Sequence, residues 1–160
     1  RVMAETHPKF DVALVTPEGE TFRGEAEMLI VPGAAGEIGV LARHAPLVAT
    51  LKAGATRVHL GGENVEEFAT GPGFFTVQLD RAIALVDHAV RASEIDREAA
   101  ERMLEEAKAE LERIESGESS ADRWVIEQRI IHAETQLEVA TGGLDLRDVR
   151  ARLSAGPRHE

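Results

Sequence analysis

Gly36-Glu37-Ile38-Gly39-Val40-Leu41-Ala42-Arg43-His44-Ala45-Pro46-Leu47 is the stretch whose reading decides the fold. It joins glycines, a lone carboxylate, spaced apolar residues and a His-Ala-Pro step. Glycines permit turns that other residues resist, and Pro46 pushes the preceding residues toward an extended backbone. The stretch therefore reads as a shaped loop with a short strand at the edge of a β domain. On local composition alone the simpler reading is a loop that merely closes a sandwich, because loops of this composition are common.

Working outward, the same period of two recurs on both sides. Upstream, Phe10, Val12 and Leu14 alternate with Asp11 and Ala13, as on a half-buried strand. Pro17-Glu18-Gly19-Glu20 turns the chain, and Thr21 to Val31 forms a second extended run that stops at Pro32-Gly33. Downstream, Val48–Leu51 and Thr56–Leu60 read as strands, and Gly61-Gly62-Glu63 turns into Asn64–Ala69. Gly73–Leu79 and Ala82–Val86, separated by Asp80-Arg81, make a further hairpin. Short strands with turn signals about every 8–12 residues indicate an antiparallel sandwich or barrel. The Pro and Gly breaks leave little room for a helix before residue 90.

The period changes at Ser93. Ser93-Glu94-Ile95-Asp96 has the spacing of a capping box. Ala99, Ala100, Met103, Leu104, Ala107, Leu111 and Ile114 then form one apolar stripe at helical steps. Glu98 with Arg102, and Lys108 with Glu112, are four-residue charge pairs. Ser116-Gly117-Glu118-Ser119-Ser120 breaks this helix. A second begins near Ala121, with Ile126, Ile130, Ala133 and Leu137 on one face and Trp124 and Ile131 beside it. Gly142-Gly143 is its expected stop. Two stripes joined by a tight loop make an antiparallel helical hairpin. Such a hairpin either stays packed or swings out to lay its stripes on a partner.

The expected fold is α+β: an N-terminal antiparallel β-sandwich over residues 9–90, a two-helix hairpin over 91–141 and a tail over 142–160. Leu146, Val149 and Leu153 keep helical spacing in the tail, and Arg1 to Pro8 reads as a flexible lead-in.

Composition narrows the function. Of 160 residues, 43% are hydrophobic and only 4% aromatic, so aliphatic side chains must fill the core. The net charge of −11 argues against nucleic acid as the main partner, because phosphate binding rests on clustered Lys and Arg. That charge is concentrated in residues 93–140, where 6 basic and 14 acidic side chains give −8. Cysteine is absent, which excludes disulfides and thiolate metal sites. No apolar run approaches the ~18 residues that suggest a membrane span, so direct insertion in a membrane is not expected.

Residues capable of catalysis are present but not arranged for it. His7, His44, His59, His88, His132 and His159 form no pair at helical spacing and no zinc-like set with carboxylates; they read as surface or edge histidines. Gly33 to Gly39 lacks the Gly-Lys-Ser/Thr ending of a phosphate-cradling loop. The serines show no nucleophile-elbow pattern. Glu66 and Glu67 are neighbours on a strand, so their side chains face opposite ways and read as solvated. Nothing points to an enzyme.

A set of motifs in order carries a resemblance. Thr16-Pro17-Glu18-Gly19, Phe22-Arg23-Gly24-Glu25, Val31-Pro32-Gly33, Gly36-Glu37-Ile38-Gly39-Val40-Leu41 and His44-Ala45-Pro46-Leu47 are followed by Lys52-Ala53-Gly54 and Gly71-Pro72-Gly73-Phe74. Together they resemble the epsilon subunit of bacterial rotary ATP synthase, over about residues 9 to 140. The resemblance implies a β-sandwich and a helical hairpin, no catalysis, and no cofactor. It implies a place on the central stalk at the cytoplasmic face of the bacterial inner membrane. There the sandwich would bind the gamma subunit and rest on the c-subunit ring. Glu37, Arg43, His44, Ala45 and Pro46 match positions that face the ring.

The resemblance also implies a hairpin that is compact or extends to the catalytic alpha/beta head and blocks ATP hydrolysis. Some members bind ATP in the compact form through Ile or Leu, Asp, two variable residues, Arg and Ala. Ile95, Asp96 and Ala100 match, but Ala99 stands where the phosphate-facing Arg belongs, so the triphosphate would be poorly neutralised. Basic residues of the hairpin meet an acidic segment of the head in the family. Here the candidates are Arg123 and Arg129 amid Glu127, Glu134 and Glu138, and like charge would oppose insertion. The alternatives are a stand-alone small-molecule-binding β-sandwich with a helical appendage, which would have a polar-lined cavity, and an enzyme whose site is spread over loops.

Overall fold

The computed structural model describes residues 7–141. Most of the expected lead-in, the Gly142-Gly143 stop and the 142–160 tail lie outside the described residues.

Alternation turns Phe10, Val12 and Leu14 inward from β1 (Phe10–Thr16), which pairs along its length with β2 (Gly19–Ala26). The run expected as one strand from Thr21 to Val31 is two, because β3 (Met28–Gly33) begins after Glu27. Glu27 donates its backbone N–H to the His59 carbonyl at 2.8 Å, and there the chain leaves one sheet for the other. An extended chain can make that crossing without Gly or Pro, so no breaker residue marks it. β4 (Gly36–Leu41) pairs with β3 through a two-residue turn at Ala34-Ala35, and its other side is a sheet edge. A Cβ on Gly33 would sit 2.6 Å from the Gly36 carbonyl oxygen, so this turn requires a glycine.

β5 (Leu47–Leu51), β6 (Gly54–Gly61), β7 (Asn64–Thr70), β8 (Gly73–Gln78) and β9 (Arg81–Val86) follow, then β10 (Ala89–Arg91), a short strand not expected from the sequence. The order is β10-β7-β6-β3-β5-β8-β9-β1-β2, with β4 on β3. Only Gly33 and Leu51 join β3 to β5, so the sheet folds there into two facing layers. Every pairing is antiparallel except β1 with β9, which is parallel. The β8–β9 turn is Leu79-Asp80, one residue earlier than expected, with Gln78 opposite Arg81. Both turn residues have positive φ, 51° and 55°, as a two-residue hairpin of this twist demands.

Between the layers lie Leu14, Leu29, Val31, Val40, Leu51, Val58, Phe68 and Phe75, all buried. The core is therefore filled with apolar side chains.

A single 3-10 turn (Ala92–Glu94) leads to α1 (Arg97–Glu115), which is followed by α2 (Arg123–Ala140). The cap of α1 is Asp96 and not Ser93: its carboxylate accepts the Ala99 N–H at 3.1 Å. Gly117, at φ 84°, ends α1, and the Glu118 N–H returns to the Arg113 carbonyl at 2.8 Å, the left-handed stop that glycine favours. Asp122 caps α2. The expected pairs Glu98–Arg102 and Lys108–Glu112 are not formed within 4 Å; Arg97–Glu101 at 3.8 Å and Arg123–Glu127 at 2.8 Å are. α1 packs on α2, and α2 packs on β6 and β7.

Candidate functional site

The stretch that decides the fold forms an exposed rim. Glu37 lies opposite Pro32 at one end of β4. Its carboxylate is 3.7 Å from the Arg57 guanidinium and remains 56% exposed. Arg57 is held mainly by Glu67, at 2.7 Å across β6–β7. Arg43, His44, Ala45 and Pro46 follow the other end of β4. At ~3.4 Å per residue, about 20 Å separates Glu37 from Arg43. The expected ring-facing residues therefore line one edge without forming one cluster.

The Arg43–Pro46 loop is anchored from a place the sequence did not reveal. Arg43 has φ 64°, and its N–H donates to Asp80 Oδ1 at 2.5 Å. Asp80 in turn accepts the Asp11 N–H on its carbonyl at 2.9 Å. The β8–β9 turn thus holds both the loop and the start of β1, and the Leu79 side chain of that turn is exposed. The available signal was a two-residue hairpin whose turn residues are not glycine.

A second surface was also missed. On the outer face of β5, β8 and β9, Val48 (76% exposed), Phe74 (61%) and Leu85 (49%) lie together. Phe74 is directly opposite Leu85, with Thr50 on its other side. Ile83 and Val15 continue the face on β9 and β1. The sequence signal was Phe74-Phe75: adjacent strand residues face opposite ways, so one phenylalanine had to point outward.

Glu66 and Glu67 are not simply solvated as expected. Glu67 is held by Arg57, and Glu66 by Arg91 at 2.5 Å. Arg91 also lies over the Phe68 ring, 4.9 Å from its centroid.

In the hairpin, Ile95 packs against the small apolar cluster of Ala55, Ala69 and Val139. Asp96 is engaged as the α1 cap and Ala100 is buried. A groove of about 980 Å³ runs between the helices, lined by Arg102, Glu106, Glu110, Arg113, Arg129 and His132 among others. Its charges are already matched in part: hydrogen bonds from Ser119 and Arg113 hold the Glu110 carboxyl below its ordinary value. Arg123 reaches Glu127 at 2.8 Å and Glu115 at 3.1 Å.

Two histidines depart from the surface reading. His59 is partly buried, its Nε2 has no partner, and burial followed by the nearby Arg57 lowers its pKa. His132 on α2 meets His88 of the β9–β10 loop, 44 positions away in the chain. Among the described residues no set of three His, Asp or Glu side chains is placed to hold a metal ion, and no helix is long and apolar enough to cross a membrane.

The sandwich thus carries an edge strand, an anchored loop and an outward apolar face, with two helices attached. Residues 9–92 match the family described as the ATP synthase Delta/Epsilon chain β-sandwich domain. The chain belongs to this ATP synthase family. Among relatives, an ATP synthase epsilon chain of Persephonella marina is 41% identical over 107 residues, covering 67% of this chain and 79% of its own. One from Acidithiobacillus ferridurans is 39% identical, covering 92% of this chain and 91% of its own, helices included. A chain in the Euglena gracilis mitochondrial ATP synthase shares the fold with a TM-score of 0.70 at 24% identity, covering 88% of this chain and 87% of that one. Both of these relatives are epsilon chains of ATP synthase.

Proposed function

We propose that this chain couples rotation of the c-subunit ring to the catalytic head by gripping the gamma subunit and the ring through residues 9–90. Residues 91–141 are the regulatory unit. It works at the cytoplasmic face of the bacterial inner membrane, held there by its partners.

The observation that carries this reading is the pairing of two different exposed surfaces on one rigid sandwich. The outer apolar face of Val48, Phe74, Ile83 and Leu85 suits a protein partner that stays bound, and gamma is its occupant. Burying such side chains in a matched surface stabilises association by removing apolar area from water. The β4 rim, with Glu37 at one end and Arg43, His44, Ala45 and Pro46 at the other, suits the polar loops of the ring. Glu37 is exposed, with Arg57 engaged elsewhere, so it is available to basic loops; such a pair sets register more than affinity. Filling of the core with apolar side chains supports the stalk reading over a stand-alone ligand-binding sandwich, which would need a polar-lined interior cavity.

The test has two parts. The chain should co-purify with gamma, and a cysteine at position 37 should crosslink to the ring in the assembled enzyme. Phe74→Asp should abolish co-purification with gamma while leaving the fold intact, since Phe74 lies outside the core. Retained binding by that variant, or no crosslink from position 37, would reject the assignment of those surfaces.

The hairpin extends to the alpha/beta head only weakly in this chain. Arg123 is already paired with Glu115 and Glu127, and the hairpin is strongly acidic, so an acidic segment of the head gains little from it. Removing residues 93–160 should raise ATP hydrolysis by the complex less than about twofold; strong activation would reject this. Nucleotide binding at Ile95, Asp96 and Ala100 is disfavoured, because Ala99 supplies no cation and Asp96 already caps α1. Equilibrium dialysis with labelled ATP should show no saturable binding below millimolar concentration.

A further inference from the structure

The sandwich holds α2 through little apolar surface: Ala55 and Ala69 against Val139, with Ala92 and Ile95 beside them. A line of polar contacts runs alongside. Gln136 Nε2 is 2.7 Å from His132 Nε2, His132 Nδ1 is 2.5 Å from His88 Nε2, and His88 Nδ1 is 2.7 Å from Asp87 Oδ1. Asp87 and His88 belong to the loop between β9 and β10, and His132 and Gln136 belong to α2.

These contacts have one consistent proton arrangement when both rings are neutral. The Asp87 carboxylate only accepts, so His88 carries its proton on Nδ1 and accepts on Nε2. His132 then donates from Nδ1 and accepts the Gln136 amide on Nε2. One added proton is tolerated: a charged His88 beside Asp87 donates to His132, which moves its own proton to Nε2, and Gln136 turns its carbonyl to receive it. A second proton has no such solution. Two N–H groups would then meet at 2.5 Å, on two cations whose ring centroids are 4.0 Å apart.

The seat of the pair is also specific. A Cβ on Gly71 would lie 1.8 Å from Asp87 Oδ1 and 2.4 Å from a His88 ring carbon, so glycine leaves the space these side chains occupy.

We propose that Asp87, His88, His132 and Gln136 form an acid-operated latch, which keeps α2 on the sandwich and releases it when both imidazoles are charged. Glu18, Glu20 and Asp87 on the sandwich line a cavity of about 390 Å³ with the two histidines. Arg129 on α2, with Arg102 and Glu106 on α1, shares the interhelical groove with His132. Burial lowers the His132 pKa most, His88 lowers it further, and Asp87 works against both.

The sign follows from that direction. His132 binds its proton less readily when docked than when released, so release takes up a proton. The latch is fully held above the ordinary imidazole value of 6.5 and weakens as pH falls below it. Each proton taken up changes the released-to-docked ratio by at most about tenfold per pH unit. Any effect on ATP hydrolysis rests on the regulatory reading of the hairpin given above; the latch itself does not.

The chain lacks cysteine, so spin labels can be placed at Glu63→Cys and Glu118→Cys in the full chain. Distances by electron double resonance should show one population at pH 8 and a longer one growing below pH 6.5. His132→Gln, which cannot be charged, should give a distance distribution independent of pH. A wild-type distribution unchanged to pH 5, or a transition that survives in His132→Gln, overturns the latch. Should His132→Gln be released at every pH, the wild-type imidazole titration by NMR decides: His88 and His132 must titrate in two separated steps, and independent titration of both overturns the proposal. These measurements use the isolated chain, so their failure is distinct from a failure of the hydrolysis test in the complex.

Discussion

The sandwich and the hairpin both bury apolar residues, but they bury very different amounts of each. The sandwich core holds Phe68, Phe75, Leu14, Leu29 and Leu51 between two layers. The fully buried residues of α1 are Ala100 and Ala107, and α2 adds Ile126, Ala133, Thr135 and Val139. An alanine removes far less surface from water than a leucine or phenylalanine does, so the hydrophobic term per buried residue is correspondingly smaller. The interface between hairpin and sandwich is smaller again, with two alanines facing Val139. The molecule thus joins a rigid grip to a lightly held lever. Its exposed side chains follow the same division: the sandwich shows a patch around Phe74, whereas the hairpin shows Trp124, 66% exposed at the start of α2.

The largest expected effect falls on the sandwich. Phe75→Ala should cost about 3–5 kcal/mol, because Phe75 is fully enclosed and both layers would have to collapse to fill the space. Urea denaturation of the wild type and variant measures it. A loss below about 1 kcal/mol would mean that the sandwich core is not the tightly packed body described above. Ile126→Ala on α2 should cost about 2 kcal/mol, the low end for such truncations, since a two-helix contact can close up. Amide hydrogen exchange separates the two cases. Ile126→Ala should speed exchange in α1 and α2 while β3 and β8 keep their protection. Equal loss in both regions would show that the hairpin and sandwich unfold together.

The same division explains what could be read from the sequence. Strands were legible where a period of two met a Gly or Pro turn, as in β1, β6 and β7. The crossing at Glu27 was not, because a chain that passes between layers stays extended and needs no turn residue. The length of α1 was legible in its stripe from Ala99 to Ile114, but its start was not. Ser93 and Asp96 both fit a cap, and only the Asp96 contact with the Ala99 N–H decides between them. Surface roles were the least legible. Glu37 and His44 belong to one short stretch, yet a whole strand keeps them apart. Asp80 supports the Arg43 loop from 37 positions away, and His88 finds His132 only because α2 lies across β7. Such contacts depend on how the layers stack, which the local pattern does not carry.

The finest test of the comparison is Asp96→Ala. Its carboxylate satisfies the Ala99 N–H, and its own carbonyl accepts the Ala100 N–H at 3.0 Å. Removing the carboxylate leaves one first-turn N–H to water and takes a negative charge from the positive end of the helix dipole. The cost should be about 1 kcal/mol, confined to α1. Faster exchange at Ala99 and its neighbours, with an unchanged denaturation midpoint for the sandwich, is the expected result. Asp96→Asn keeps the hydrogen-bond acceptor and loses only the charge, so it should recover most of the protection. Full recovery assigns the effect to the cap hydrogen bond, and no recovery assigns it to the lost charge. A shift of the sandwich midpoint as large as the change at α1 would show that the lever is welded to the grip, and the difference between the two regions would then be one of composition without being one of mechanics.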